Sequence, residues 1–492
     1  MMKYPDIDAY NAGLAAIAHA DPAPIPSLLA AAQRRANDAS YWQILGLLQR
    51  ACGESAAALQ SLERAAHLAP GNFKIAHAVA LVRLEAGLPA VESFDRVVAL
   101  ATEPEEALQG LAAAMVADGR RTEAVAKLDE ALASRPHWFD GHWLACRLRW
   151  MDGERYDYLA SIDKALTQHP RDLQLWQMRI LVDQRSANFT GVLQSVERGR
   201  KNAGQQPLFD FFEICALSEL GDHQKVDADF GRFAIPTDLS ALIPMVRHEI
   251  RMGRPERAIE QAQPALGGAA AIYLWPYVAI SWRMMDHEQW HWLEGDDRLC
   301  SVLDLADRLP DLERLAERLR SIHAISGLPV EQSVRNGTQT DGPLLARLEP
   351  EIVELRKVLV DAIKSHLAQL PPIDPTHPIL SVRRTAPISF NGAWSVRLTG
   401  AGHHVSHVHP AGWFSSALYI SVPSGDEIGS PPSGWLALGE PEPALRTGLA
   451  PLRLVEPRPG RLVLFPSTLW HSTRPFESGE RMSAAFDVAR PA

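Results

Sequence analysis

A three-residue signature recurs through the first third of the chain with fixed internal spacing. A Gly is followed twelve residues later by an Ala, and five after that by a Pro. It reads Gly53/Ala65/Pro70, Gly87/Ala99/Pro104, Gly119/Ala131/Pro136 and Gly153/Ala165/Pro170, and the glycines step by 34, 32 and 34 residues. A unit of that length holds two amphipathic helices, and each unit must bury its apolar face against its neighbours. Small residues let the two helices approach closely. The Gly supplies the turn between them, and the Pro stops the second helix before the next unit. The period therefore predicts a stacked all-α solenoid.

The pattern resembles the tetratricopeptide repeat. The first unit matches best, with Trp42, Leu45, Gly46, Ala58, Leu62, Ala65 and Pro70 at consensus positions. Weaker copies continue at Gly221 and at Gly253/Ala265, before the segment Trp275 to Trp292. About seven units are read between roughly 39 and 300, with a capping helical pair over 5–38. The Trp, Tyr and Met residues here fill the cores between stacked helices. The usual role of such an array is to bind a peptide or partner protein on its concave face.

Residues 301–380 read as a helical connector. Leucines at helical spacing between Ser301 and Ile325 predict one or two helices, and Ile352, Leu355, Val358, Leu359, Ile363 and Leu367 predict another from Glu349 to Leu370. Between them, the polar stretch 332–340 reads as a surface loop. After about residue 380 the period changes. Short β-type runs appear at Trp394–Leu398, His404–Val408, Ser415–Val422, Trp435–Leu438, Arg461–Phe465 and Met482–Val488. Gly, Pro and Ser clusters separate them, which predicts an all-β sandwich or barrel over 381–492. A mobile loop is expected from Glu440 to Pro459.

Bulk properties exclude several classes of function. A net charge of −10 argues against nucleic-acid binding and against docking on anionic membranes. The longest apolar stretch, Gly267 to Ile280, is too short to span a bilayer and contains Pro276. The first residues lack the features of a signal peptide. Cys52, Cys146, Cys215 and Cys300 lie far apart, as expected for reduced thiols in a cytoplasmic protein. Oligomeric state is not legible.

Histidines cluster at His403, His404, His407 and His409, and His471 follows a strong strand. Residues i and i+2 of a strand share a face, so His407 and His409 are placed to chelate one ion, with His471 closing a triad across the barrel. The alternative is solvated or core histidines, the reading given to His403 and His404. Arg481 begins the last strand and Ser483 points to the same face. Together they offer a planar fork and a hydroxyl to a carboxylate, the alternative for Arg481 being a surface ion pair.

Segment 391–488 resembles the bacterial 2-oxoglutarate/Fe(II) oxygenases that often follow tetratricopeptide repeats. The resemblance rests on Asn391 to Leu398, on His407-Val408-His409-Pro410-Ala411-Gly412-Trp413, on Tyr419 to Pro423, on Gly460 to Ser467 with His471, and on Arg481-Met482-Ser483. The polar run Arg335 to Thr340 is also typical of the repeat-linked members. The resemblance implies a multidomain α + β protein, with the solenoid followed by a double-stranded β-helix (jelly roll) holding Fe(II) at its open end. It implies His407 and His471 as ligands and Arg481 on the distal carboxylate of 2-oxoglutarate. Tyr419 either lends its hydroxyl there or packs inward. The wider superfamily has Asp or Glu where this chain has His409. His409 is then the second ligand of a three-His site, or it stands beside an open coordination place. The expected activity is O2-dependent hydroxylation of a peptide or protein. The competing expectations are a cupin-like metal enzyme without 2-oxoglutarate, and a scaffold with an inactive barrel.

Overall fold

The computed structural model describes residues 5–151, 157–231, 238–323 and 333–491. Helices pack in sequential pairs from the start: Pro5–Ile17 with Ile25–Arg34, then Ala39–Ala51 with Ser55–Leu68, and Phe73–Glu85 with Val91–Leu100. The series continues to Trp275–Met284 and Gln289–Glu294. Gly46 marks the closest approach within its pair, since a Cβ there would lie 2.5 Å from Leu62 Cγ. Gly53, Gly87 and Gly119 take φ near +75°, the left-handed turn that only Gly adopts cheaply, and Gly221 (φ 103°) and Gly253 (φ 68°) do the same downstream. Gly153 lies outside the described residues. None of the described helices is long and apolar enough to cross a membrane.

The glycine turns of a stacked array share one edge, and the C-terminal third lies against that edge. Arg356 Nη2 donates to Cys52 O at 3.0 Å, and Leu348 N donates to Ala86 O at 3.3 Å. Further along, Arg251 Nε donates to Ala444 O at 3.1 Å, and Arg446 Nη1 stands 3.4 Å from His223 Nε2. Carbonyls left open at helix C-termini carry partial negative charge, so arginines are natural partners for several of these turns.

The β-region comprises β1 (Ser301–Asp304), β2 (Val334–Gln339), β3 (Phe390–His404), β4 (Phe414–Ser421), β5 (Leu436–Leu438), β6 (Arg453–Val455), β7 (Arg461–Pro466), β8 (His471–Thr473) and β9 (Glu480–Val488). They form two antiparallel sheets, in the orders β1-β7-β4-β9-β3-β2 and β6-β5-β8. Leu436, Leu438 and Val455 of the small sheet pack on Tyr419, Val463 and Phe465 of the large one. Helices Leu312–His323 and Pro350–Gln369 cover the other face of the large sheet, with Leu319, Leu355 and Ile363 against Phe414, Leu464 and Phe486. Burying both faces of the large sheet leaves an open end between the sheets, where the candidate site lies.

Four local expectations are corrected. Ser301 opens a strand rather than a helix: its short apolar run pairs with β7 from Ser301↔Leu464 to Asp304↔Arg461. Helix is confined to Leu312–His323, and Ala324 and Ile325 lie outside the described residues. The expected loop 332–340 contains β2, paired with β3 across a bulge between Arg335 and Gly337. Its polarity is that of an edge strand, with only Val334 of the strand buried; Gln332 lies outside the described residues. Stretch 301–380 thus contributes two strands and two packing helices to the β-region. The strand expected over His404–Val408 instead ends β3 at His404. The expected mobile loop 440–459 carries β6 and a short 3-10 turn, Pro443–Leu445, which packs on the solenoid through Leu445.

Candidate functional site

His407, His409 and His471 converge at the open end, with one ring nitrogen of each within 4.8 Å of the others. They are not held by one regular strand. His407 exchanges two backbone hydrogen bonds of 3.0 Å with His471, which ties the loop after β3 to the start of β8. His409 N donates to Ser467 O at 2.9 Å, fixing the second arm of the same loop.

The hydrogen bonds at Nδ1 decide what the rings can do. His407 Nδ1 faces Val405 O at 2.8 Å, His471 Nδ1 faces Leu469 O at 3.0 Å, and His409 Nδ1 faces Asp487 Oδ2 at 2.8 Å. Carbonyls accept only, and Asp487 already accepts from Ser415 Oγ at 2.6 Å through its other oxygen. Each Nδ1 therefore carries the proton, and each Nε2 presents a lone pair. His407 Nε2 also lies 3.2 Å from Ser333 Oγ. Burial pushes the His407 pKa down to about 3 and holds His471 well below the ordinary value. Neutral imidazoles with aligned lone pairs fit a divalent transition metal, and Asp487 is the carboxylate that orients such a ligand.

A second cluster lies deeper in the same cavity, which has a volume of about 610 Å³. Arg481 is 2% exposed, and Nη1 donates to Gly434 O at 2.8 Å. Its Nε has no partner, and neither does the Tyr419 hydroxyl, although both are buried. The guanidinium carbon lies 5.7 Å from the Tyr419 ring centre. Burial lowers the Arg481 pKa and raises that of Tyr419. A buried cation and a buried hydroxyl, each with an unmet hydrogen bond, fit a carboxylate of an incoming ligand. Ser483 lines the same cavity, two residues along β9.

The structure thus brings His407, His409, His471, Tyr419, Arg481 and Ser483 to one cavity. His403 stays outside the cluster, its Nδ1 3.1 Å from Ala401 O, and His404 Nδ1 lies 3.0 Å from Ser333 Oγ. Sequence reasoning missed Asp487, although it shares strand parity with Arg481, Ser483 and Ala485, all of which line the cavity. It also missed Trp394, stacked on His409 at 5.4 Å, and Ser333. The solenoid supplies part of the cavity mouth through the turn Arg185–Ala187 and through exposed Tyr273. No local motif marks those residues; only the curl of the repeats brings them there.

Residues 392–487 match the family model described as "Putative 2OG-Fe(II) oxygenase". That span contains His407, His409, Tyr419, His471, Arg481 and Ser483. Among solved structures, the chain is similar to a Pseudomonas putida prolyl-4-hydroxylase, at 19% identity over 39% of this chain and 94% of that one (TM-score 0.27). It is similar to a tetratricopeptide repeat protein from Parabacteroides merdae, at 17% identity over 47% of this chain and 92% of that one (TM-score 0.30). It is also similar to HygX from Streptomyces hygroscopicus with nickel and 2-oxoglutarate bound, at 14% identity over 39% and 83% (TM-score 0.26). A search of curated proteins found no match.

Proposed function

We propose that this chain, a tetratricopeptide-like solenoid joined to a domain of the 2OG-Fe(II) oxygenase family, hydroxylates a side chain of a peptide or protein. In this reading His407, His409 and His471 hold Fe(II) through Nε2. Arg481, with Tyr419 and Ser483, holds the distal carboxylate of 2-oxoglutarate. When bound, the metal and 2-oxoglutarate supply O2 activation coupled to decarboxylation to succinate, and one oxygen atom goes to a substrate C–H bond.

The chain's own contribution is orientation. Val405 O, Leu469 O and Asp487 keep the three rings in one tautomer, so no proton need leave an Nε2 before a metal binds. Arg481 is buried, and Tyr419, Phe465 and Leu436 line the cavity around it, so its fork acts in a dielectric below that of bulk water. A macromolecular substrate is favoured by the cavity mouth, which Arg185–Ala187 and Tyr273 of the solenoid share with Arg335 and Val405 of the β-region.

The observation that carries the reading is the pairing, in one cavity, of three convergent histidines with a buried arginine whose Nε is unmet. Three neutral ligands also suit a cupin-like enzyme that does not use 2-oxoglutarate. Anaerobic Fe(II) loading followed by an O2-dependent 2-oxoglutarate turnover assay separates the two. The oxygenase reading expects Fe(II)-dependent succinate, lost in His407→Ala. Fe(II) binding with no succinate, with or without candidate peptides, sinks it.

A further inference from the structure

Two residues interleaved with the histidines pack outside the β-region's own core. Val408 lies between His407 and His409, and Trp470 precedes His471. Both join the apolar cluster of the terminal solenoid helices, which includes Val246, Leu274, Tyr277 and Ile280. Val408 also lines the cavity, whereas Trp470 does not, so Trp470 reaches the solenoid from the side of its segment that faces away from the site, and whatever grips the two residues fixes the histidine-bearing segments. The grip is specific. Trp470 is 4% exposed, donates from Nε1 to Pro276 O at 3.1 Å, and meets Tyr277 edge-on at 5.7 Å. Its carbonyl accepts from Gly439 N at 2.6 Å, and the Gly439 carbonyl in turn accepts from Arg283 of the same solenoid helix.

We propose that Val408 and Trp470 are positioning residues through which helix Trp275–Met284 sets the spacing of the three histidines. This rests on reading the triad as a metal site. Through Trp470 the helix reaches His471 from outside the cavity lining. Coupling of this kind is reciprocal: if the helix organises the triad, a metal on the triad stabilises the helix.

The test uses the full chain with Co(II), whose d–d absorption reports ligand geometry. Trp470→Ala is expected to weaken Co(II) binding about tenfold or more and to alter the d–d bands, as partners that orient metal ligands do. Trp470→Phe, which keeps the packing ring, is expected to recover most of the affinity. In the wild-type chain, Co(II) is expected to slow amide hydrogen exchange over 275–284 while leaving 39–134 unchanged. Wild-type affinity and spectrum in Trp470→Ala overturn the proposal. Should that variant not fold, exchange over 275–284 that ignores Co(II) overturns it instead. Co(II) binding that persists unchanged in His407→Ala overturns the metal-site reading itself, and this proposal with it.

Discussion

The buried arginines and histidines that lock the solenoid differ in their partners from those that line the cavity of the β-region. In the solenoid, buried Arg179 donates to Asp163 at 2.9 Å and to Asp183 at 3.3 Å, and Arg247 donates to Glu219 at 2.8 Å. His142 uses both ring nitrogens, on Ser161 Oγ and Pro136 O, and His248 uses both on Ser218 Oγ and Asp227. In the β-region no carboxylate among the described residues pairs with buried Arg481, and one ring nitrogen of each of the three histidines lies within 4.8 Å of the others. Most buried polar groups in a fold are satisfied, and the exceptions elsewhere are scattered single atoms, such as Arg149 Nη1 and Glu294 Oε1 in the solenoid and His366 Nε2 in the β-region. Where one cavity gathers an unmet Arg481 Nε, an unmet Tyr419 hydroxyl and three convergent imidazoles, the partner is something that binds.

Several experiments would break or sharpen this contrast. The largest effect is expected from His407→Ala, which should abolish metal binding by calorimetry and reduce turnover by about a thousandfold or more, since two nitrogens cannot hold an open site. Stability should then separate the two arginines. Arg179→Met leaves the fully buried Asp183 with only the neutral donors Tyr158, Asn188 and Ser195, and should cost about 3 kcal/mol in urea unfolding. Arg481→Met removes an unpaired buried charge, so stability should hold or rise while the KM for 2-oxoglutarate climbs about a hundredfold. Equal stability losses for the two variants would erase the distinction.

A smaller effect is expected at Asp487. Asp487→Asn should weaken metal affinity by about 10–100-fold, measured by competition with a chelator, because the amide holds His409 less firmly in its tautomer. Two histidines outside the site contribute to the pH dependence of stability. Burial pushes His366 and His323 down to about 4, the latter helped by the Arg397 charge. Their pKa values are lower folded than unfolded, so the unfolded chain binds more protons between about 6.5 and 4. Stability should therefore fall as pH drops through that window, by a few kcal/mol in total, and His366→Gln should flatten the slope in chemical unfolding.

The sequence made the repeat architecture legible because its signature is local: Gly at a left-handed turn, Ala at a close contact and Pro after a helix all act within one unit. The His and Arg set was legible for a similar reason, since strand parity links Arg481 to Ser483 and the histidines are chemically conspicuous. The misread elements depend on partners far along the chain. Ser301–Asp304 is a strand only because β7 lies beside it, and Val334–Gln339 is one only because β3 does. The chelating pair was placed on a regular strand, whereas His407 is held by a bridge to His471, 64 positions away. The docking of Val408 and Trp470 on the solenoid was invisible for the same reason: an apolar residue in a β-type run does not reveal which core it enters.

The central claim is that the buried Arg481 and the three histidines form one site for a metal and a dicarboxylate. Its most direct test is 2-oxoglutarate binding to the anaerobic Fe(II)-loaded chain, followed by calorimetry in the wild type, His407→Ala and Arg481→Met. The account predicts binding that needs both Fe(II) and Arg481. Binding that survives Arg481→Met undiminished, or that is the same with and without metal, contradicts it.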